Sequence, residues 1–251
     1  MKLNHGGTVP ISTIDWHGRV SIVISFRGCP FRCPYCHNHE LLFGSNPVDF
    51  GEIESQINKS KIFVDNVVFT GGEPFMQPDA LKHLAGFAKY NNLLVGINTN
   101  GFYPERIKEI VDEGKVDKFF VDLKAPLDDV DLYRKISGYN SPDYPEPVSR
   151  VAESLKILYE NGVEFELRTT VIRDFIGNFD DITKISGWIS KYLSKDVPYV
   201  IQRGLPGHSK DSDLHGIKPL EREEILGLSE YACNYLNDVR INTDSGYENV
   251  C

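Results

Sequence analysis

The sequence predicts an α/β fold, a partial (β/α)6 barrel of the TIM type with its active site at the C-terminal ends of the strands. Three observations carry this. Short apolar, β-branched runs alternate with longer stretches of helical periodicity along the 251 residues. Six such strand–helix pairs occur, and that alternation implies a parallel sheet with right-handed crossovers. A complete eight-fold barrel takes ~250 residues, and the N-terminal segment with its cysteine-rich loop leaves too few for it. A doubly wound open sheet shares the same alternation and is the alternative.

In chain order, strands are expected at 20–26, 66–70, 93–98, 118–123, 164–171 and 199–202, and helices at 50–59, 79–90, 105–113, 148–159, 180–192 and 220–235. Pro78 before Asp79 and Pro104 before Glu105 mark helix starts. The fixed φ of proline suits the first turn, and a carboxylate there meets the positive end of the helix dipole. Gly114 and Gly162 follow helical runs and read as C-caps. Residues 137–147, rich in Pro, Gly, Tyr and Asp, read as a long surface loop, and 237–251 carries no assignable pattern. The whole of 1–251 reads as a single domain, with a core over about 14–203 and a C-terminal helix and tail over 204–251.

Charge narrows the function. Lys and Arg number 27 against 36 Asp and Glu, a net charge of −9; that balance repels phosphates on average and argues against a nucleic-acid partner. There is no apolar run of the ~18 residues a bilayer span needs, so no membrane partner is expected. The polar start, Met1 to Gly7, does not read as a secretory signal. The expected setting is cytoplasmic, where thiols stay reduced and clustered cysteines point to metal or catalysis.

Of five cysteines, Cys29, Cys33 and Cys36 fall within one short loop, Arg27-Gly28-Cys29-Pro30-Phe31-Arg32-Cys33-Pro34-Tyr35-Cys36-His37-Asn38, at the C-terminal end of the first predicted strand. Soft thiolates select zinc, copper(I) or iron–sulfur clusters. Three of them on a four-iron cubane leave one iron without a protein ligand, a corner where a small molecule could chelate. Other readings compete. A structural zinc site of three cysteines plus His37 lacks the usual second ligand pair, and haem attachment at Cys33-Pro34-Tyr35-Cys36-His37 leaves Cys29 unexplained. Buried structural cysteines sit badly in a loop rich in Pro and Arg. Cys233 reads as a small core residue, and Cys251 as lacking a neighbouring ligand.

The Cys29-x3-Cys33-x2-Cys36 spacing, with Tyr35 just before the last cysteine, resembles the signature of radical S-adenosylmethionine (SAM) enzymes. The resemblance implies a [4Fe-4S] cluster held by Cys29, Cys33 and Cys36, with SAM chelating the fourth iron. Reductive cleavage of SAM then gives a 5′-deoxyadenosyl radical that abstracts hydrogen. Tyr35 would lie against the adenine, and Cys36-His37-Asn38 looks particularly like pyruvate formate-lyase activating enzymes. Thr70-Gly71-Gly72-Glu73-Pro74 follows the second strand and resembles the family motif that binds the SAM amino group, with Glu73 as acceptor and two glycines admitting close approach. Asn98-Thr99 ends the third strand where glycyl-radical activases carry Asp-Thr near the SAM carboxylate. Asp122-Leu123-Lys124 ends the fourth and resembles their Asp-Leu-Lys, which implies Asp122 near ribose or carboxylate and Lys124 on the carboxylate. Strand alternation places Asp122 and Lys124 on one face and Leu123 on the other. Arg168, sharing a face with Glu166 and Thr170, matches an activase arginine that approaches SAM. Gln202 stands where those enzymes place a histidine that touches the adenosine end of SAM, which implies Gln202 as the hydrogen-bonding group in its stead, while His208 on the next loop gets no role. All of these lie at or just after a strand's C-terminal end, where barrels and open α/β folds build their sites.

Residues 11–19 look like the opening segment of anaerobic ribonucleotide reductase activases. Together the resemblances imply a glycyl-radical enzyme activating enzyme, an anaerobic oxidoreductase. It would take one electron from a flavodoxin or ferredoxin and hydrogen from a glycine of a partner enzyme. Two further readings are a radical SAM enzyme acting on a small molecule, such as a 7-carboxy-7-deazaguanine synthase, and a non-catalytic iron–sulfur or zinc protein.

Overall fold

A computed structural model describes residues 1–141 and 146–251. Its strands are β1 (Lys2–Ser12), β2 (Ser21–Phe26), β3 (Pro47–Asp49), β4 (Asn66–Gly71), β5 (Leu94–Thr99), β6 (Lys118–Asp122), β7 (Phe165–Val171), β8 (Tyr199–Arg203), β9 (Val239–Thr243) and β10 (Gly246–Asn249). The helices are α1 (Phe50–Ser60), α2 (Pro78–Tyr90), α3 (Pro104–Asp112), α4 (Val130–Ser137), α5 (Pro147–Glu160), α6 (Phe179–Tyr192) and α7 (Arg222–Ala232).

The strands form one sheet in the order β10-β9-β8-β7-β6-β5-β4-β2-β1-β3. From β2 through β4, β5, β6, β7, β8 and β9 every pairing is parallel, whereas β1, β3 and β10 add antiparallel edges. All six predicted strands are present. A seventh parallel strand, β9, extends the six-unit array, and the sheet ends in two free edges rather than closing. The central strands read as near-continuous apolar runs because both faces are covered. One face packs against helices: Val67, Phe69, Val95, Ile97, Phe119, Val121 and Leu167 belong to the main core, all at 0% exposure. On the other, Trp16 from the β1–β2 connection packs with Val23, Val68 and Phe120. Gly96 is obliged to be glycine there, since a Cβ would sit 2.9 Å from the Trp16 ring.

Helix boundaries follow their local chemistry. Pro78, Pro104 and Pro147 occupy first turns, and α6 starts with a capping box between Asn178 and Asp181. Gly114 and Gly162 both have φ of +63°, as the C-cap reading requires. The predicted loop at 137–147 is narrower than expected. Ser137 closes α4, whose N-cap is the Asp129 carboxylate, and Pro147 opens α5; residues 142–145 lie outside the described residues.

The tail is ordered by a pairing that the sequence left unread. The β9–β10 hairpin folds the chain back, Val250 N–H donates to Val239 O at 2.9 Å, and Cys251 forms a disulfide with Cys233 at the C-cap of α7. This corrects the expectation of two unconnected thiols. The 18-residue separation hid a contact that only the hairpin creates.

Candidate active site

The cysteine loop leaves β2 and is shaped by arginines that collect its carbonyls. Arg32 Nη1 donates to Cys29 O and, at 2.7 Å, to Phe31 O, while Arg27 Nη1 donates to Glu40 O and Phe43 O at 2.9 and 3.1 Å. This explains why a loop with three cysteines also carries Arg. Gly138, at the C′ position of α4, abuts it: a Cβ there would lie 2.2 Å from Arg32 O.

The Gly71-Gly72 turn runs beside the same loop, main chain against main chain. Gly72 N–H donates to Phe26 O and Glu73 N–H to Gly28 O, both at 2.8 Å. A Cβ on Gly72 would fall 2.1 Å from Gly28 O, and one on Gly71, where φ is +118°, 2.4 Å from Phe26 N and O. Glycine is required at this pair by the neighbouring backbone.

A cavity of about 680 Å³ opens at the C-terminal ends of the parallel strands. Around it stand Cys29, Cys33 and Cys36, with Tyr35 and His37 of the same loop, Gly71 and Gly72, then Asn98, Asp122, Lys124, Arg168 and Gln202. The structure thus brings together nearly all the residues the sequence singled out, from six different strand ends.

Glu73 and Leu123 are the exceptions, since neither lines the cavity. Glu73 was expected to accept a ligand's ammonium. It is fully buried and accepts three hydrogen bonds from the protein: Oε1 accepts from Phe75 N–H (3.1 Å) and the Thr99 hydroxyl (2.9 Å), and Oε2 from Asn100 N–H (2.8 Å). It staples the end of β5 to the glycine turn. Burial pushes its carboxyl up to about 7, against the pull of the Asn100, Phe75 and Thr99 hydrogen bonds. Leu123 sits on the opposite face from Asp122 and is core, at 1% exposure; its carbonyl accepts from the Thr169 hydroxyl.

Charges at the cavity are held in pairs. Lys124 Nζ lies 2.7 Å from Asp122 Oδ2 with its side chain 13% exposed, so this is a cavity pair and not a solvent one. Burial alone would lower the Lys124 pKa, but Asp122, Tyr35 and Cys33 outweigh it and raise it well above the usual lysine range. Lys124 Nζ also stands 5.7 Å from the centre of the Tyr35 ring, whose edge meets Phe175. Arg168 donates to Glu166 (2.8 Å) and Asn98 (3.4 Å), and Asn98 donates to Thr70 (3.3 Å). His37 Nε2 is 3.1 Å from Leu205 O.

The three thiols are free. Burial raises all three, Cys33 to about 11, with Lys124 opposing the rise; binding to a metal would draw off their protons. Asn100 Nδ2 approaches Cys29 Sγ at 3.5 Å. Among the described residues no three His, Cys, Asp or Glu side chains converge on one metal-ion position. Three cysteine thiols lining one roomy cavity are the soft donor set an iron–sulfur cluster takes.

Sequence reasoning missed one wall. Arg203, Leu205, Asn242, Thr243 and Asp244 line the cavity too. The alternation in Val239-Arg240-Ile241-Asn242-Thr243 was the available strand signal, unused because the tail around it has no helix–strand rhythm.

Known proteins resemble this chain in sequence and in fold. The profile of the radical SAM superfamily matches residues 23–183. A Methanocaldococcus jannaschii protein, provisionally named a glycyl-radical enzyme activating enzyme, is 31% identical over 98% of both chains. The pyruvate formate-lyase-activating enzyme of Clostridium pasteurianum is 24% identical over 84% of this chain and 90% of that one. The crystal structure of a radical SAM methyltransferase from Sphaerobacter thermophilus superposes with a TM-score of 0.72 over 90% of this chain and 67% of that one, at 17% identity. A likeness at that identity concerns the fold alone.

Proposed function

The chain belongs to the radical SAM superfamily, and from that premise we propose that it is a glycyl-radical enzyme activating enzyme working as one unit over residues 1–251. The observation that carries the reading is that Cys29, Cys33 and Cys36 open onto the same cavity as Gly71, Gly72, Asn98, Lys124 and Arg168, in a chain similar end to end to such an activase. When bound, a [4Fe-4S] cluster and SAM supply a 5′-deoxyadenosyl radical that takes a hydrogen atom from a glycine of the partner enzyme.

The chain's own residues arrange that chemistry. The three cysteines would hold the cluster. Lys124, kept cationic by Asp122, and Arg168, oriented by Glu166 and Asn98, offer positive charge to a carboxylate. Glu73 acts from behind, fixing Thr99 and Asn100 against the glycine turn, whose main-chain groups face the ligand's amino group. Tyr35 supplies an aromatic surface for the adenine. A flavodoxin or ferredoxin is the electron donor and the cytoplasm the setting in this reading, and the oxygen sensitivity of such a cluster calls for anaerobic conditions.

The test is anaerobic reconstitution with iron and sulfide, then addition of SAM, a one-electron reductant and a candidate glycyl-radical enzyme. The reading predicts 5′-deoxyadenosine and a glycyl radical on the partner by electron paramagnetic resonance. SAM cleavage that responds only to a small heterocyclic substrate, with no radical on any protein, would replace it by the small-molecule reading.

A further inference from the structure

Arg168 lines the cavity, but much of what fixes it lies outside. Its guanidinium stands 4.1 Å from the centre of the Phe120 ring, and its Nε donates to Glu166 Oε1 at 2.8 Å. Strand alternation puts Glu166 and Arg168 on one face of β7. Glu166 does not line the cavity and is only 2% exposed. A lone carboxylate would be costly there. Three partners hold it: Arg168, Lys118 Nζ at 3.1 Å from Oε2, and the Tyr247 hydroxyl, which donates to Oε1 at 2.6 Å. Burial alone would raise the Glu166 carboxyl, but Arg168, Lys118 and the Tyr247 hydroxyl outweigh it and hold it below the usual range.

Tyr247 comes to this carboxylate from far along the sheet. It lies on β10, three strands from β7 in the sheet order, and in a flat sheet that separation is about 14 Å. The hydrogen bond therefore needs a curled sheet, with the phenol reaching across its concave face. Tyr247 stands opposite Asn242 in the β9–β10 register, which puts both on the face that lines the cavity. Its ring stacks on His17 of the β1–β2 connection, with centroids 4.6 Å apart. Chain from both ends of the open sheet thus meets at this phenol. Arg222 Nε donates to Glu248 at 2.8 Å and ties β10 to α7, and the Cys233–Cys251 disulfide closes the tail. Nearby Arg240 is spent on Asp238, at 2.7 and 2.6 Å. Burial keeps the Tyr247 phenol above its usual range, so at neutral pH it remains a donor.

A carboxylate oxygen that accepts from a phenol and a guanidinium together takes its direction from both. Without the phenol, Oε1 keeps Arg168 alone, while Oε2 stays on Lys118. The carboxylate is then free to turn, and the guanidinium turns with it. We propose that Tyr247 is a positioning residue for SAM binding, holding Glu166 so that the Arg168 guanidinium is aimed into the cavity. It acts through the Glu166–Arg168 pair and not by contact with the cosubstrate. This rests on the reading that Arg168 meets the SAM carboxylate.

Equilibrium dialysis of radiolabelled SAM against the anaerobically reconstituted protein tests this, with wild type, Tyr247→Phe, Arg168→Gln and the double variant. Tyr247→Phe keeps the ring that stacks on His17 and removes only the O–H. It is expected to weaken SAM binding about fivefold, the worth of one net hydrogen bond, with the cluster absorbance as in wild type. In the Arg168→Gln background the same change is expected to cost less than about twofold, because residues that act as one unit are not additive. Arg168→Lys supplies the background should the glutamine variant misfold. Unchanged affinity in Tyr247→Phe, an equal loss in both backgrounds, or loss of the cluster itself overturns the positioning role. Unchanged affinity in Arg168→Gln removes the SAM contact and the positioning role together. The glycyl radical on a partner enzyme is read in a separate assay, so the activating-enzyme reading stands or falls independently of these outcomes.

Discussion

Gly72→Ala perturbs the site through a single methyl group. Its Cβ would lie 2.1 Å from Gly28 O and 2.7 Å from Gly28 C, both main-chain atoms. Relief to an ordinary contact of more than 3 Å parts the two segments by about 1 Å, which stretches the 2.8 Å hydrogen bond from Glu73 N–H to Gly28 O beyond use. A buried amide left unpaired costs about 1–3 kcal/mol, and the overpacking strain adds a similar amount. The sum is a loss of about 3 kcal/mol in the cluster-free protein. Because Gly28 precedes Cys29, the shift also disturbs the loop that carries the thiols. Urea denaturation of cluster-free wild type and variant measures the first effect, and iron uptake on reconstitution the second. Gly51→Ala, in α1 with nothing within 4 Å of the new Cβ, is the control and should change stability by under about 1 kcal/mol. A Gly72→Ala protein within about 0.5 kcal/mol of wild type, loading iron normally, would refute the packing argument.

Other consequences are equally open to measurement. The folded-state pKa of Glu73 stands raised to about 7, from 4.5, by burial, so its contribution to stability is fully present below pH 4.5 and is lost as pH climbs through 7. Denaturation at pH 5 and pH 8 should show a fall of as much as about 3 kcal/mol from this group, and Glu73→Gln, neutral throughout, should lack it. Lys124→Ala is expected to weaken SAM binding by about tenfold or more, the value of a hydrogen bond to a charged group, while the visible absorbance of the cluster stays as in wild type. Reduction of the Cys233–Cys251 disulfide, which closes an 18-residue separation, should lower stability by about 3 kcal/mol, read as a shift in the urea midpoint with and without reductant.

What the sequence revealed, and what it hid, follows from the range of the forces involved. The parallel strands were legible because burial on both faces writes them as unbroken apolar runs such as Val67-Val68-Phe69. The edges were not: β1 contains two glycines and a proline, and β10 is polar, so neither carries the apolar signal of a covered strand. Helix α4 escaped notice at eight residues, although its Asp129 cap and Gly138 stop are local signals. At the site, the motifs at strand ends were readable as motifs, while the direction of each side chain was not. Glu73 turns inward to three hydrogen-bond donors, and Asn242 turns into the cavity from a strand that only the folded tail reveals.

The central claim, that Cys29, Cys33 and Cys36 hold a four-iron cluster whose remaining iron is free to bind SAM, is tested most directly by Mössbauer spectroscopy of the anaerobically reconstituted protein before and after SAM is added. The account predicts one iron site in four whose parameters change on addition of SAM, and loss of the whole signal in Cys33→Ala. Bound zinc, or four iron sites indifferent to SAM, would contradict it.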